Sequence, residues 1–202
     1  MSRIYTPPNG NSTPDDVVYA HPHSDFTNMQ QTHMGNDGRF HNIWSCDIAI
    51  LADGACAGNG TNYARAGMGV YFAPDSRYNI SEKLEAWDGQ QTNQHAEIRA
   101  AVLALEKVIE LVEDGCLQTE NVVLISDSSY VVDAMTNWVY RWRNNGWMNN
   151  RGFEVTNRDD FERLDRLINI LDDDFDVSVR LWLVPRCYVQ EADRLAKDAI
   201  NS

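Results

Sequence analysis

Two short apolar runs, each ending at an aspartate, constrain this chain more than any other feature of its sequence. Ile48–Ala52 runs into Asp53-Gly54, and Val122–Ser126 runs into Asp127. Apolar runs of this length, bounded by turn residues, read as strands of a sheet buried on both faces, and such a sheet needs helices to cover it. The sequence supplies them. Ile98, Val102, Leu105, Ile109 and Val112 recur at spacings of three and four, with Thr92 or Asn93 placed to cap the helix start and Gly115 to end it. Ser128 can cap a helix reaching Trp138. Phe161, Leu164, Leu167, Ile168 and Leu171 mark a helix over 159–171, and Ala192, Leu195, Ala196 and Ala199 mark the last one, over 191–200.

Three further runs read as strands. Ala66–Ala73 carries Gly67 and Gly69, which signal close backbone approach. Ile80–Trp87 alternates and reads as a strand near an edge, and Val177–Val184 alternates strictly. The first three strands lie close together with turn signals between them, which predicts an antiparallel meander. The order β-β-β-α-β-α-α-β-α therefore implies one mixed sheet with helices packed on its faces. There is no internal repeat.

Residues 1–45 differ. They are rich in Asn, Pro, His, Thr and Asp and show no helical or strand period, so they read as a polar, poorly ordered N-terminal arm ahead of a domain over 46–202. The arm holds His21, His23, His33 and His41. A metal tract is the sharper reading, but the spacings are irregular and no carboxylate or cysteine frame accompanies them. No apolar run reaches the ~18 residues of a membrane span, and Met1–Gly10 does not read as a secretory signal. A mitochondrial leader is disfavoured by the single early arginine and the many acids. Cys46, Cys56, Cys116 and Cys187 form no C-x-x-C pair and read as free thiols of an intracellular protein, in cytoplasm or nucleus.

The two aspartates at strand ends would be neighbours if their strands are adjacent. Like charges a few ångströms apart in a low dielectric persist only if a cation neutralises them or one acid takes up a proton. Oxygen donors favour Mg²⁺ or Mn²⁺ over zinc. Taken singly, Asp53 in Asp-Gly could be a turn residue and Asp127 a helix cap. Glu97, in the first turns of the long helix, and Asp193, one turn into the last, could be surface acids favoured by the helix dipole.

Ordered blocks over 46–200 resemble one family. Ala52-Asp53-Gly54-Ala55-Cys56, Asn59-Gly60 and Ala66-Gly67-Met68-Gly69-Val70-Tyr71 are similar to the opening of type 1 ribonuclease H. Gln91–Ile98, Ser126–Val131, Thr136–Trp142, Asn144–Trp147 and Glu191–Ala196 follow in the same order. The resemblance implies a ribonuclease H-like α/β fold, with a five-stranded mixed sheet (three antiparallel strands, then two parallel) and helices on both faces. It implies a catalytic and metal-binding tetrad of Asp53, Glu97, Asp127 and Asp193. With two Mg²⁺ or Mn²⁺ ions as cofactor, the tetrad would hydrolyse the RNA strand of an RNA:DNA hybrid to 5′-phosphate and 3′-hydroxyl ends. Asp53 would bridge the ions, Glu97 and Asp127 would complete the leaving-group side, and Asp193 the water side. The expected partner is the hybrid, with no membrane involved and the chain a monomer.

By the same resemblance, Cys56, Gly58, Asn59, Asn93, Gln94 and Glu97 would face RNA riboses, and Thr92, Trp138, Trp142 and Asn157 the DNA strand. The composition supports a binding surface independently. The net charge is −13, which opposes polyanion binding, yet 134–153 holds no Asp or Glu. That stretch interleaves Arg141, Arg143 and Arg151 with Trp138, Trp142 and Trp147, although these tryptophans could equally be core residues.

Two departures stand out. Val184-Pro185-Arg186-Cys187-Tyr188-Val189-Gln190 runs almost directly into the last helix, so the family's Gly-His loop is shortened and lacks its histidine. His95 cannot be assumed to replace it. Gln90 stands where many relatives carry a phosphate-binding arginine. Slower turnover is expected, and a catalytically weak or inactive paralog acting as a binding protein is the alternative. A DNA-acting nuclease of the same superfamily is disfavoured by the Gln-Thr-Asn-Gln run and the Trp-rich segment.

Overall fold

The computed structural model describes residues 2–7, 10–34, 40–85 and 91–202, with the backbone alone for 31–34 and 40–44. The described sheet has seven strands: β1 (Val18–Ala20), β2 (Thr27–Met34), β3 (Phe40–Ala57), β4 (Arg65–Tyr71), β5 (Ile80–Leu84), β6 (Asn121–Ser126) and β7 (Ser178–Leu183). The helices are α1 (Pro14–Val17), α2 (Asn93–Glu113), α3 (Ser129–Asp133), α4 (Val139–Asn145), α5 (Arg158–Phe175) and α6 (Gln190–Asn201). A wider π turn, Ala134–Trp138, joins α3 to α4, so the helix capped by Ser128 continues past Trp138 until Gly146 ends it in the left-handed conformation.

β3 is the spine. On one edge it pairs in parallel with β6, which pairs in parallel with β7. On its other edge β4 runs antiparallel along the second half of β3, and β5 follows β4. These five strands are the expected three antiparallel and two parallel. Ile48, Ile50 and Leu124 pack into the core shared with α2 and α5. Ala49, Leu51, Val123, Ile125 and Trp182 point the other way, with Ala192 of α6 among their neighbours. Helices therefore cover both faces, and the strict alternation of side chains between them is the period of two.

The expectations for 1–45 need correction. That stretch contributes β1, β2 and the first residues of β3, so the sheet has seven strands rather than five and the boundary at 45/46 falls inside a strand. β2 lies end to end with β4 along the same edge of β3, and the Thr27 amide donates to the Phe72 carbonyl at 2.8 Å. Its sequence opens Thr-Asn-Met-Gln, and of these only Thr27 and Met29 are buried. Thr27 is polar although it lies on the buried side, where its hydroxyl donates to the Ala49 carbonyl at 2.6 Å, so no hydrophobic period marks the start of β2. The side chains of His33 and His41 lie outside the described residues, as do Ala86 and Trp87 at the end of the run expected to form β5. The four cysteines are free, and no described helix is long and apolar enough to cross a membrane.

Residues 3–5 lie alongside β7: the Leu181 amide donates to the Arg3 carbonyl at 2.7 Å, and the Tyr5 amide to the Leu181 carbonyl at 2.9 Å. This places the Arg3 guanidinium in the interior, where it donates to Asp165 Oδ1 at 2.6 Å and to Asn169 at 2.9 Å. Arg143 of α4 donates to the same carboxylate, at 2.6 Å to Oδ2. Arg3 and Asp165 are both buried. Removing the anion of a buried pair leaves an uncompensated charge, so Asp165→Asn is expected to cost about 3 kcal/mol. The urea unfolding midpoint would fall at unchanged slope.

Candidate active site

The last paired residues of β3 and β6 are Leu51 and Ile125. Asp53 and Asp127 each follow two residues later, so the two parallel strands carry them to the same level at the mouth where pairing ends. Two glycines bring the other acids in. A Cβ on Gly54 would lie 2.2 Å from the Glu97 backbone nitrogen, so β3 packs directly on the first turns of α2. A Cβ on Gly69, the residue paired with Asp53, would lie 2.0 Å from the Ala192 carbonyl oxygen, so α6 rests directly on β4. Gly67 makes a similar approach to Ala196. Backbone this close admits no side chain, as expected for Gly67 and Gly69. Helices on opposite faces of the sheet thereby bring Asp193 within electrostatic reach of Asp53, and Glu97 within reach of Asp127.

Asp53 is 2% exposed. Its Oδ1 accepts the Gly54 amide at 2.8 Å, while Oδ2 is buried without a hydrogen-bond partner. Burial, then repulsion from Asp127 and Asp193, pushes its pKa up to about 7, against the Gly54 hydrogen bond and the Arg186 charge. Burial also raises Glu97, in spite of the Ser128 hydroxyl, which donates to its Oε2 at 2.6 Å. Asn93 donates to the other oxygen at 2.6 Å. Ser128, not Asp127, caps α3 by accepting the Val131 amide, which leaves the Asp127 carboxylate clear of capping. Asp193 behaves differently. Burial pushes it up, but Lys197, at 2.5 Å from Oδ2, and Arg186, on Oδ1, outweigh burial and hold it below the usual carboxylate range.

Arg186 had no role in the sequence reading. It sits in the single turn Arg186–Tyr188 between β7 and α6. Its charge acts on Asp53 and Glu97, and the charges of Asp127 and Asp193 act on it. The signal available was a lone basic residue in the short connection leading to an acid-bearing helix.

The donor set suits a hard divalent cation: four carboxylates, one with a buried oxygen lacking any partner. Among the described residues no three His, Cys, Asp or Glu side chains are grouped as a ready-made cage. Glu97 is held by Asn93 and Ser128, and Asp193 by two cations. The acids converge in charge, and cation binding would require Asp193 to turn from its present partners.

Around the mouth, the hairpin after β3 and the start of α2 gather the residues expected to face RNA. The Asn93 amide donates to Asn59 Oδ1 at 3.3 Å, the Cys56 thiol to the Gln91 carbonyl at 3.4 Å, and Gly58 turns the chain at φ 67°. Gln94 is exposed. Thr92 caps α2 by accepting the His95 amide at 3.2 Å. His95 is buried with Nε2 2.9 Å from Asp160 Oδ2, so it pins the start of α2 to the start of α5. That sets the caps of the two helices, Thr92 and Asn157, at neighbouring N-termini, a favourable place for an anion. Gln90 lies outside the described residues.

The Trp-rich segment divides. Trp138 is 36% exposed, whereas Trp142 and Trp147 belong to the core. Trp142 also forms part of the wall of a cavity of about 420 Å³ lined by Trp138, Arg141, Arg151 and Tyr130. Arg143 is not part of this groove, because Asp165 claims it, so the basic surface is two arginines rather than three.

Comparison with known proteins points to one family. The RNase H family model matches residues 46–178. Ribonuclease H1 of Homo sapiens is 37% identical over 158 residues, covering 75% of this chain and 49% of that protein. Ribonuclease H of Acetivibrio thermocellus is 33% identical over 124 residues, 61% of this chain and 75% of that one. The chain thus spans about half the length of the human protein. Among solved structures, LC11-RNase H1 in complex with RNA/DNA hybrid has a TM-score of 0.53 at 23% identity, covering 76% of this chain and 96% of that one. The PFV RNase H domain has a TM-score of 0.55 at 20% identity, covering 76% and 93%. The family match ends before α6, so the place of Asp193 rests on the close packing at Gly69.

Proposed function

The chain belongs to the ribonuclease H family, and from that premise we propose that it is an endoribonuclease cutting the RNA strand of RNA:DNA hybrids. The observation that carries the reading is the buried, partnerless Oδ2 of Asp53 at a mouth shared with Asp127, Glu97 and Asp193. No protein group answers that oxygen, and a cation would.

Asp53, Glu97, Asp127 and Asp193 would hold two Mg²⁺ or Mn²⁺ ions. When bound, such ions supply an activated water and neutralise the leaving 3′ oxygen. The chain's own residues do the rest. Ser128 and Asn93 fix both oxygens of Glu97, so its orientation is set before substrate arrives. Asn93, Asn59 and Cys56 present polar groups on the side where a ribose 2′-hydroxyl would distinguish RNA from DNA. Thr92 and Asn157 offer the paired helix N-termini to a phosphate of the DNA strand. Trp138 supplies a stacking or sugar-facing surface beside Arg141 and Arg151.

A weak or inactive paralog is favoured by one observation: Asp193 is already satisfied by Arg186 and Lys197. Labelled hybrid, duplex RNA and duplex DNA separate the readings. The hybrid is expected to be cut on its RNA strand faster than either duplex, since duplex DNA lacks the 2′-hydroxyl to be read and duplex RNA lacks the deoxyribose strand that Trp138 would face. Equal cutting of all three would overturn the substrate assignment, and none would favour the paralog.

Binding in a chain of net charge −13 depends on few cations. Arg141→Ala and Arg151→Ala are each expected to lower the slope of log affinity against log salt by about one. Arg143→Ala, outside the groove, is expected to leave the slope unchanged while lowering stability.

A further inference from the structure

We propose that Arg186 is a built-in counter-cation of the carboxylate cluster, a positioning residue that must release Asp193 before a divalent ion can use that carboxylate. The inference rests on the reading of the four acids as a cation site, and is independent of which nucleic acid is cut.

Four acids around a mouth cannot all ionise in a protein interior without a compensating charge. The structure meets this demand unevenly. Asp193 receives two cations, Arg186 on Oδ1 and Lys197 on Oδ2. Asp53, the most deeply buried of the four, receives none on Oδ2. Arg186 is nevertheless the cation whose charge reaches both Asp53 and Glu97 as well as Asp193. Its side chain is 63% exposed, whereas that of Asp193 is 15% exposed. The guanidinium thus enters from solvent, and it can leave the same way at little desolvation cost. Space for the departing side chain exists: Arg186 and Lys197, both on Asp193, also line a cavity of about 280 Å³ with Asn93 and Cys56.

The Asp193 carboxylate therefore has two states, each answered by a cation. Without metal, Arg186 and Lys197 hold Asp193. With metal, the divalent ion takes the carboxylate and Arg186 turns into the adjacent cavity. The exchange at Asp193 is cation for cation, and no electron moves. Its consequence is a threshold: Arg186 stabilises the metal-free protein and weakens metal binding by the same interaction, as linkage between two ligands of one site requires.

The test measures Mn²⁺ binding by isothermal titration calorimetry, and melting temperature with and without Mn²⁺, in wild type and four variants. Arg186→Ala and Arg186→Gln are expected to bind Mn²⁺ about tenfold more tightly, because a like charge has been removed from beside the ion. Without metal, both are expected to melt about 3 °C lower than wild type. Excess Mn²⁺ would erase or reverse that difference. Arg186→Lys keeps the charge and is expected to restore wild-type affinity. Arg194→Ala removes an equal charge from the exposed side of α6, where Arg194 pairs with Asp198, and is expected to change nothing. Unchanged or weaker Mn²⁺ binding by Arg186→Ala and Arg186→Gln would overturn the inference, as would absence of Mn²⁺ binding from every variant. Failure to cut a hybrid would not affect it: that outcome strikes the substrate reading, while metal affinity reports the counter-cation alone.

Discussion

Asp53→Asn is expected to lose hybrid cleavage by a factor on the order of a thousand or more, while making the metal-free protein more stable. The two effects have one cause. The carboxylate is buried beside Asp127 and Asp193 with one oxygen unanswered, an arrangement that costs folding energy and that a cation would convert to binding energy. Asparagine fills the same space without the charge. A structural acid would behave oppositely, since its removal would lower stability.

The pH dependence has a definite sign. Asp53 titrates near pH 7 in the folded protein, against 3.8 for the ordinary group. Between those values the native state holds a proton that the unfolded chain has released. The stability that Asp53 contributes is therefore full below its ordinary value and lost as pH rises through about 7. The loss is on the order of 4 kcal/mol at most. Asp193, held below its ordinary value, works the other way, contributing stability above that value that is lost as pH falls through its own lowered one. Wild type without metal should thus become less stable from mildly acidic to mildly alkaline pH, and Asp53→Asn should do so less, keeping only what the raised Glu97 contributes. Melting curves across that range in chelator, then in Mg²⁺, check this directly: Mg²⁺ should stabilise wild type more on the alkaline side and the variant little at either pH. A wild-type protein whose stability is flat across neutrality would contradict the buried, uncompensated state of Asp53.

The second large effect is expected at Gly69. Alanine there puts a methyl 2.0 Å from the Ala192 carbonyl oxygen and 2.6 Å from the Ala196 amide nitrogen, both backbone atoms of a packed helix. No rotamer relieves a clash with Cβ, so α6 must move off β4, and stability should fall by about 3 kcal/mol or more. Asp193 and Arg186 travel with that helix and its lead-in turn. Gly69→Ala is therefore expected to lose activity even at temperatures where circular dichroism shows it folded. Gly60 provides the contrast. It has φ 82° and open space around it, so Gly60→Ala should cost only the left-handed conformation, about 1 kcal/mol, and leave the acids in place. Full activity in folded Gly69→Ala would mean that close packing of α6 does not position Asp193.

The parts of this fold that show in the sequence are those where burial dictates residue type. Ile48–Ala52 and Val122–Ser126 are apolar because both faces are covered, and the acids after them mark where cover ends. Gly67 and Gly69 were readable as sites of close approach, though not as the contacts that carry α6. The start of β2 was not readable, since its first buried position is Thr27, whose hydroxyl is answered by the Ala49 carbonyl, so burial leaves no apolar period there. The role of Arg143 was hidden for a different reason. Its partner Asp165 lies 22 positions away on another helix, and the third member, Arg3, lies 162 away in a segment with no pattern of its own. Local sequence makes Arg143 look like part of a basic patch, and only packing shows it spent on a buried carboxylate. Arg186 belongs to the same class: its meaning depends on four acids scattered over the chain, which proximity alone reveals.

The most direct measurement is cleavage of a hybrid labelled on its RNA strand, in Mg²⁺ and in Mn²⁺, by wild type beside a folded Asp127→Asn variant. The expected result is RNA fragments with 5′-phosphate and 3′-hydroxyl ends, an intact DNA strand, and no cutting by Asp127→Asn or in chelator. Wild type that leaves the RNA strand whole in both metals, or cutting that survives Asp127→Asn, would contradict the assignment of these four carboxylates to hydrolysis.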